Sequence, residues 1–285
     1  MHAPAPAEHA PAKINLALHV TGQRADGYHL LESLAVFTEF GDHLTVSPAT
    51  EDAFSVTGPF AAQVPLDAGN LVIRARDALR ALAPASAAPV AISLEKNLPV
   101  ASGIGGGSSD AAAALRALAR HWGIAADLAA LGLKLGADVP MCLAARPLVA
   151  HGIGEHLQPV AGLPPLPLVL VNPGVGVSTP DVFRALASRE NPPLPPLPGR
   201  LDTGSVLEWL RATRNDLENP AKTLAPAIAD ALDALKGTGA PFARMSGSGA
   251  TCFGLFETDP AAADAAEAIR ARRPGWFVAA TKSMR

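Results

Sequence analysis

The chain has 285 residues, of which 49% are hydrophobic, and carries a formal net charge of -3 at pH 7. That length and apolar content predict a globular protein with one large domain or two modest ones. The 23 lysines and arginines are scattered along the chain, which argues against a nucleic-acid partner. Cys142 and Cys252 lie far apart without metal-binding spacing, so we expect no disulfide framework, no zinc site and a reducing environment.

The N-terminus lacks the charged and apolar regions of a secretory signal, and we expect Met1–Pro11 to form a short tail. No apolar stretch approaches the ~20 residues that a helix needs to cross a bilayer. The sequence therefore predicts a cytoplasmic protein without a membrane contact.

The first third of the chain predicts mainly β-structure. Apolar residues alternate from Ile14 to Val20, which is typical of a half-buried strand. Gly41 separates two of the further strand-like runs, which are Leu34–Phe40, Leu44–Val46 and Val90–Leu94. Asn70 precedes apolar residues with the spacing of one helix face, which predicts a helix that begins at Leu71 with a side-chain cap.

The rest of the chain predicts mixed α- and β-structure. Polar residues at Ser108–Asp110 precede a run of alanines and predict the start of a helix, and a second helix is predicted over Leu128–Leu135. Proline-rich stretches at 159–167 and 192–198 predict loops, and we place a domain boundary near the first. Further strands are expected near Leu168–Val171 and Thr251–Phe256, with helices near Ala225–Leu235 and Ala261–Arg270.

Glycines crowd a strand-to-helix turn between Pro99 and Asp110. Without Cβ atoms, backbone N–H groups can converge on an anion, and the helix adds about half a positive charge at its N-terminus, so a di- or triphosphate is the expected ligand. No Gly-Lys-Ser/Thr follows, which excludes a Walker A loop, and Ser108 stands where a dinucleotide fingerprint has its third glycine. A flexible surface turn is the alternative.

Lys13 and Asp138 are candidates for the chemistry of phosphoryl transfer. Each has an ordinary explanation, because a lysine at the start of a strand is usually solvated and an Asp after Gly-Ala usually caps a helix. Each also lies among apolar residues in a chain whose glycine turn predicts phosphate binding. In transfer to an alcohol, a carboxylate accepts the hydroxyl proton and an ammonium stabilises the developing negative charge. We therefore predict Asp138 as the base and Lys13 as its electrostatic partner.

A second turn of small residues, Ser246–Thr251, precedes an apolar strand. It is either a tight turn that is merely rich in glycine, or a backbone that passes close to bound phosphate or to the first glycine turn. The sequence of this segment alone does not separate the two interpretations.

Three segments resemble the GHMP kinase superfamily, in the order in which that family has them. Pro11–Leu16 resembles its N-terminal motif, residues 99–110 its phosphate loop and residues 246–251 its C-terminal glycine motif. Arg24–His29, Leu135–Pro140 and Asn215–Glu218 are similar to the branch that phosphorylates a cytidine diphosphate ester of methylerythritol, on the non-mevalonate route to isoprene precursors. The resemblance extends from about Ala10 to the C-terminus.

This resemblance implies an ATP-dependent kinase with an α+β fold of two domains and an active-site cleft between them. Residues 1–160 would form the ATP-binding N-terminal domain and residues 161–285 the C-terminal domain. Magnesium would accompany ATP; because the sequence has no obvious acidic cluster, phosphate oxygens and water would hold the ion, with Ser108 as a candidate contact. We expect a small-molecule substrate and a monomer or weak homodimer.

The resemblance also assigns roles in the site. Lys13 and Asp138 match the catalytic pair, with Asp138 deprotonating the hydroxyl on carbon 2 of the methylerythritol unit. Tyr28 and Phe183 match aromatic positions that hold the cytosine ring by stacking, although core packing is the alternative, and His29 matches a residue that reads the edge of that ring.

For the other matched positions, the residue type alone says less about the role. Asn15 and Thr179 match positions near polar groups of the substrate, and Asn70 and Lys96 match positions that flank the adenosine. Besides Lys96, the expected ATP-binding residues are those of the glycine turn: Pro99, Val100, Ala101, Ser102, Gly103, Ile104, Gly105, Gly106, Gly107, Ser108 and Ser109.

Three other functions compete with this interpretation. Another GHMP kinase, acting on homoserine, mevalonate or a sugar, would share both glycine motifs but would not be expected to carry Tyr28, His29 and Phe183 together. A non-catalytic ligand sensor on the same scaffold could lose Lys13 or Asp138, yet both are present. An RNA-binding module is disfavoured by the net charge of -3 and the lack of a basic face.

Overall fold

The structure is a computed structural model that describes residues 7–285. Its strands are β1 (Glu8–Gln23), β2 (His29–Pro48), β3 (Ala53–Thr57), β4 (Val90–Glu95), β5 (Leu148–His151), β6 (His156–Pro159), β7 (Pro167–Asn172), β8 (Phe242–Met245), β9 (Cys252–Leu255) and β10 (Phe277–Lys282). Its helices are α1 (Leu71–Arg80), α2 (Gly106–Trp122), α3 (Leu128–Leu135), α4 (Val139–Ala144), α5 (Thr179–Arg184), α6 (Thr203–Arg211), α7 (Glu218–Leu224), α8 (Ala227–Gly237) and α9 (Asp259–Arg272), with a 3₁₀ turn at Ala61–Gln63. This mixture confirms the predicted α+β class. No helix among residues 7–285 is long and apolar enough to span a membrane.

The chain forms two compact units that interleave along the sequence. Unit 1 contains the described residues up to Ala12 together with Gly41–Val100 and Gly105–Ala145, and unit 2 contains Lys13–Phe40, Ala101–Ile104 and Arg146–Arg285. The functional domain boundary expected near residue 160 stays a prediction.

Unit 1 combines strand pairs with four helices. The second half of β2 pairs antiparallel with β4, from His43 opposite Glu95 to Pro48 opposite Val90, and β3 pairs parallel with β4. Helix α2 packs against α1, α3 and α4. Its residues Ala111–Leu115 are fully buried, and alanine side chains allow neighbouring helices to approach closely. The predicted cap of α1 is confirmed, because the Asn70 side chain accepts a hydrogen bond from the Val72 N–H over 2.8 Å.

Unit 2 is built on an antiparallel sheet with the strand order β10-β7-β9-β8. Helices α8 and α9 pack on this sheet, and a hydrophobic core that includes Val171, Ile228 and Ile269 lies beneath them. Residues 33–35 of β2 pair antiparallel with β5, which pairs with β6. The predicted strands at β7 and β9 and the helices at α8 and α9 are confirmed, whereas β10 and α5–α7 were not predicted.

The tail expected at Met1–Pro11 is wrong from Glu8 onward, while Met1–Pro6 lies outside the described residues. Strand β1 begins at Glu8, whose carboxylate accepts hydrogen bonds from Arg116 and Arg120 of α2 over 2.7 and 2.6 Å. These ion pairs between residues more than a hundred positions apart hold the start of the strand, and no local pattern announces them.

The strand break expected at Gly41 is also wrong, because Leu34–Phe40 and Leu44–Val46 are parts of the single strand β2. A Cβ at Gly41 would overlap the carbonyl oxygen of Ala10 and lie 2.8 Å from the Cα of Pro11. Gly41 therefore serves the close approach of β1 to β2 and not a turn.

Replacing Gly41 with Ala is expected to lower the free energy of unfolding by about 1–3 kcal/mol, since the new methyl group meets backbone atoms that cannot rotate away. Gly237→Ala is the matched control, because a Cβ there meets nothing within 4 Å. Urea unfolding of both variants measures the difference. Equal stability of the two variants would contradict the packing role of Gly41.

Candidate active site

The first glycine segment is the turn that leads into α2. Gly103 has a φ of 75° and Gly105, the N-cap residue, a φ of 65°, both in the left-handed region that glycine adopts most readily. Helix α2 begins at Gly106, so Ser108 and Asp110 lie inside the helix and the prediction that Ser108–Asp110 cap it is wrong. No side chain caps this N-terminus, so its first backbone N–H groups are available to an anion.

The second glycine segment touches the first. A Cβ at Gly103 would lie 2.5 Å from the carbonyl oxygen of Ser246, and one at Gly247 would lie 2.7 Å from the carbonyl oxygen of Gly103. The Ser246 hydroxyl donates to that Gly103 oxygen over 3.0 Å, and the Thr251 N–H donates to the Ser102 carbonyl oxygen over 3.0 Å. The interpretation that residues 246–251 pass close to the first glycine segment is confirmed.

Lys13 lies in β1 beside the first glycine segment. Its backbone N–H donates to the Ile104 carbonyl oxygen over 2.8 Å. The residue is only 5% exposed, so the alternative of a solvated surface lysine is wrong.

Asn15, two residues along the same strand, is tied to the second glycine segment. Its backbone N–H donates to the Ser246 hydroxyl over 3.1 Å, and its side-chain Nδ2 donates to the Ser33 hydroxyl over 2.7 Å. Its Oδ1 is buried without a hydrogen-bond partner in the described part of the chain. A buried acceptor of this kind is expected to meet a ligand or water.

Asp138 is the N-cap residue of α4, in unit 1. Its carbonyl oxygen accepts the first helical bond, from the Cys142 N–H over 3.1 Å, but its side chain makes no capping hydrogen bond. The alternative that the Asp138 side chain serves only as a helix cap is therefore wrong. The carboxylate is half-buried.

The aromatic residues of unit 2 form a stack. Phe183 on α5 stacks on His29, with ring centroids 4.6 Å apart and an interplanar angle of 24°. Nε2 of His29 is buried and has no hydrogen-bond partner among the described residues. Burial, helped by Arg189, lowers the pKa of His29, which keeps the ring neutral near pH 7. Tyr28 is 60% exposed, so core packing is wrong as its explanation.

Helix α5 joins this stack to the second glycine segment. Thr179 Oγ1 and Ser248 Oγ are hydrogen-bonded over 2.7 Å. Because Thr179 and Phe183 are four residues apart, they lie on one face of the helix. The sequence signal that could have predicted this short helix is Ser178 at the N-cap position, followed by Pro180 and Asp181 in the first turn.

Lys96 lies in a buried cluster of charges in unit 1. Its ammonium group donates to Asp42 over 2.5 Å and to Asp110 over 2.6 Å, and the residue is 2% exposed. Burial opposes the charged form, but the two carboxylates outweigh it and raise the pKa of Lys96. Burial raises the pKa of Asp110 to about 8, with a further contribution from Asp42 and against the opposing effect of Lys96. The sequence did not connect Lys96 with Asp42 or with Asp110, which lie 54 and 14 positions away from it.

The predicted site residues thus fall into two groups. Unit 2 holds the middle of the glycine turn at 101–104, Lys13 and Asn15, and the residues assigned to the cytidyl substrate: Tyr28, His29, Thr179 and Phe183. Unit 1 holds Asp138, Lys96 and residues 99–100 and 105–109 of the glycine turn.

Two family models and a curated relative match this chain. The model of the GHMP kinases N terminal domain matches residues 70–146, and that of the GHMP kinases C terminal region matches residues 200–274. A 4-diphosphocytidyl-2-C-methyl-D-erythritol kinase from Mesorhizobium japonicum is 63% identical over 280 residues, which are 97% of this chain and 95% of that protein. The chain belongs to the GHMP kinase family.

Solved structures agree with this membership. A crystal structure of 4-(cytidine 5'-diphospho)-2C-methyl-D-erythritol kinase has a TM-score of 0.81 and 37% sequence identity, covering 98% of this chain and 100% of that one. A homoserine kinase from Cytophaga hutchinsonii, only 19% identical, has a TM-score of 0.67 and covers 100% of this chain and 96% of its own. That second match shows the shared fold alone.

Membership of the GHMP kinase family implies the use of ATP, and the first glycine segment fits its phosphates. The hydroxyl of Ser109, in the first turn of α2, is buried and has no hydrogen-bond partner in the part of the chain that the structure describes. That hydroxyl and the uncapped N–H groups of the same turn are donors for phosphate oxygens. Residues 7–285 contain no group of three or more His, Cys, Asp or Glu side chains that could hold a metal ion.

Replacing Asp110 with Asn is expected to change how the stability of this GHMP kinase depends on pH. The pKa of Asp110 is raised from 3.8 to about 8, so the folded protein keeps a proton that the unfolded chain releases, and stability falls as the pH rises between these values. The variant lacks this titration. The unfolding free energy of the unmodified protein minus that of Asp110→Asn should therefore decline across that range in urea unfolding, and a difference that is constant with pH would contradict the raised pKa.

Proposed function

We propose that this GHMP kinase transfers the γ-phosphoryl group of ATP to the 2-hydroxyl of 4-diphosphocytidyl-2-C-methyl-D-erythritol, a step on the non-mevalonate route to isoprenoid precursors. The observation that carries the proposal is the 63% identity, over nearly the whole chain, to a kinase named for that substrate. The stack of Phe183 on His29 supports it, because a pyrimidine base needs an aromatic face and a polar edge.

In this proposal the first glycine segment holds ATP. The backbone N–H groups at the start of α2 and the Ser109 hydroxyl bind phosphate oxygens, and the helix dipole favours their negative charge. Phosphate oxygens and water would hold most of a magnesium ion bound with the nucleotide, with Ser108 as the candidate protein contact, and the ion would neutralise phosphate charge. We assign ATP binding to an N-terminal domain of residues 1–160 and place the C-terminal domain at residues 161–285.

In this proposal Asp138 is the base that accepts the hydroxyl proton, and Lys13 stabilises the negative charge that develops during transfer. The Asp138 carboxylate accepts the proton of the 2-hydroxyl as the new O–P bond forms and the bond between the γ-phosphorus and the bridging oxygen of ATP breaks, which releases ADP. The Lys13 ammonium stabilises negative charge on the transferring phosphoryl group. Its low exposure, 5%, supports this role, since an electrostatic contribution is larger where water is excluded.

Recognition of the cytidyl group falls to the aromatic residues. Phe183 offers a ring face, and Tyr28, with 60% of its surface exposed, is available to cover a bound base from outside. Neutral His29 can donate or accept a hydrogen bond through its buried Nε2 at the edge of the base. Asn15 Oδ1 and the Thr179 hydroxyl are the polar groups assigned to the rest of the substrate.

The substrate is tested by measuring ADP formation by the purified protein with magnesium and ATP. Four alcohols are compared: 4-diphosphocytidyl-2-C-methyl-D-erythritol, homoserine, mevalonate and galactose. We expect turnover with the cytidyl substrate only, and a product phosphorylated at carbon 2 by ³¹P NMR. Turnover with another alcohol would support kinase activity but contradict the assignment of a pyrimidine-binding site. No turnover with any of the four alcohols would favour a ligand sensor.

Replacing Asp138 with Asn is expected to lower kcat by about 10²–10⁴-fold while ATP still binds, because the amide keeps the shape of the carboxylate but accepts no proton. Asp127→Asn is the matched control: Asp127 is the N-cap of α3, and its carboxylate does accept a bond from the Ala130 N–H, over 3.0 Å. Steady-state kinetics and calorimetric ATP binding distinguish the two. A kcat for Asp138→Asn equal to that of the control would remove Asp138 from the role of base.

A further inference from the structure

The two flanks of the first glycine segment are tied to one buried pair of charges, Asp42 and Lys96. On the upstream flank, Asp42 Oδ1 accepts hydrogen bonds from the backbone N–H groups of Asn97 and Leu98, over 2.6 and 2.8 Å. The other oxygen of the same carboxylate accepts from the Lys96 ammonium over 2.5 Å. A single side chain of β2 thereby fixes both the main chain that leads into the segment and the lysine.

On the downstream flank, the Lys96 ammonium donates to Asp110 Oδ2 over 2.6 Å. Asp110 lies in α2, the helix whose N-terminus faces the phosphates in the proposed function. A Cβ at Gly106, the first residue of α2, would lie 3.1 Å from the Lys96 nitrogen, so the ammonium sits directly against the start of the helix. The two ends of the segment between Leu98 and Asp110 are therefore connected by hydrogen bonds through the side chains of Asp42 and Lys96.

We propose that Lys96 and Asp42 are positioning residues, which hold the first glycine segment in its ATP-binding conformation, and that Lys96 acts on ATP through this segment and not by a contact of its ammonium group. The low exposure of Lys96, 2%, and the two carboxylates that it binds leave its side chain committed inside unit 1. This inference rests on the proposed function in one respect, namely that the glycine segment binds ATP.

The energetics of buried charges favour this role over plain stabilisation. Removing charged groups from water costs about as much as their mutual attraction returns, and well-packed apolar residues in the same place are often equally stable. A buried cluster is thus a poor source of stability but a good source of geometry, because each of its hydrogen bonds requires a defined direction. Here those directions set where Leu98 and Asp110 stand.

The test compares Asp42→Asn with the double variant Lys96→Met/Asp42→Asn. The single variant leaves the ammonium facing an amide and weakens the connection to α2. The double variant replaces the Asp42–Lys96 ion pair by uncharged groups of similar shape; because burial raises the pKa of Asp110, that side chain can remain neutral without the lysine, and part of the lost stability should return. Calorimetric ATP affinity, KM values for both substrates, and hydrogen exchange of the amides at 97–110 are measured for each.

Asp52→Asn is the matched control. Asp52 also accepts a backbone N–H bordering β4, that of Val90 over 3.0 Å, and is also paired with an arginine, Arg80. Replacement of Asp52 therefore also weakens an ion pair and a backbone hydrogen bond next to β4, although Asp52 is exposed and Asp42 is buried, and Asp52 is not connected to the glycine segment. We expect it to lower stability and to leave the KM for ATP unchanged.

The expected result is that both Asp42 variants weaken ATP binding about tenfold or more, with faster exchange at 97–110 and an unchanged KM for the cytidyl substrate. The double variant should regain stability without regaining ATP affinity. If ATP affinity returns together with stability, or if Asp42→Asn weakens ATP binding no more than Asp52→Asn, the positioning role is overturned. If the unmodified protein binds no ATP at all, the proposed function fails and this inference fails with it.

Discussion

The backbone contact between the two glycine segments is the constraint on which the arrangement of unit 2 depends. Gly103 and Gly247 approach each other so closely that neither has room for a Cβ. The Ser246 hydroxyl bridges this contact, because it donates to Gly103 and accepts from the N–H of Asn15. Strand β1, which carries Lys13, is thereby tied to the first glycine segment by a main-chain hydrogen bond and to the second through the Ser246 side chain. The close approach of these two glycines thus helps to determine where the lysine lies.

Local signals in the sequence were sufficient to predict those helices and strands that depend mainly on residues close in sequence. The Asn70 cap and the strands at β7 and β9 follow from caps and apolar runs that a short window contains. Gly41 was misinterpreted because its reason lies elsewhere, in the backbone of Ala10 some thirty residues upstream. The pattern of a glycine between two apolar runs is the same whether it makes a turn or admits a neighbouring strand. Only the position of the neighbour separates the two cases.

The site shows the same division. The motifs identified Lys13 and Asp138, and the structure removed the ordinary explanation of each, since Lys13 is buried and Asp138 does not cap through its side chain. Lys96 was associated with adenosine by its position in the motif, but its two carboxylate partners come from a strand and a helix that local periodicity does not connect. Burial of a charge depends on such long-range partners, so it is the property that a sequence read alone conveys least.

Helix α5 connects the second glycine segment with the aromatic stack of His29 and Phe183. A homoserine kinase of the same fold is only 19% identical, so the fold by itself does not select the alcohol. In this chain, Thr179 at the start of α5 bonds to Ser248 of the second glycine segment, and Phe183, one turn later, stacks on His29. One helical turn spans about 5 Å. The aromatic stack is therefore held at a fixed, short distance from the second glycine segment.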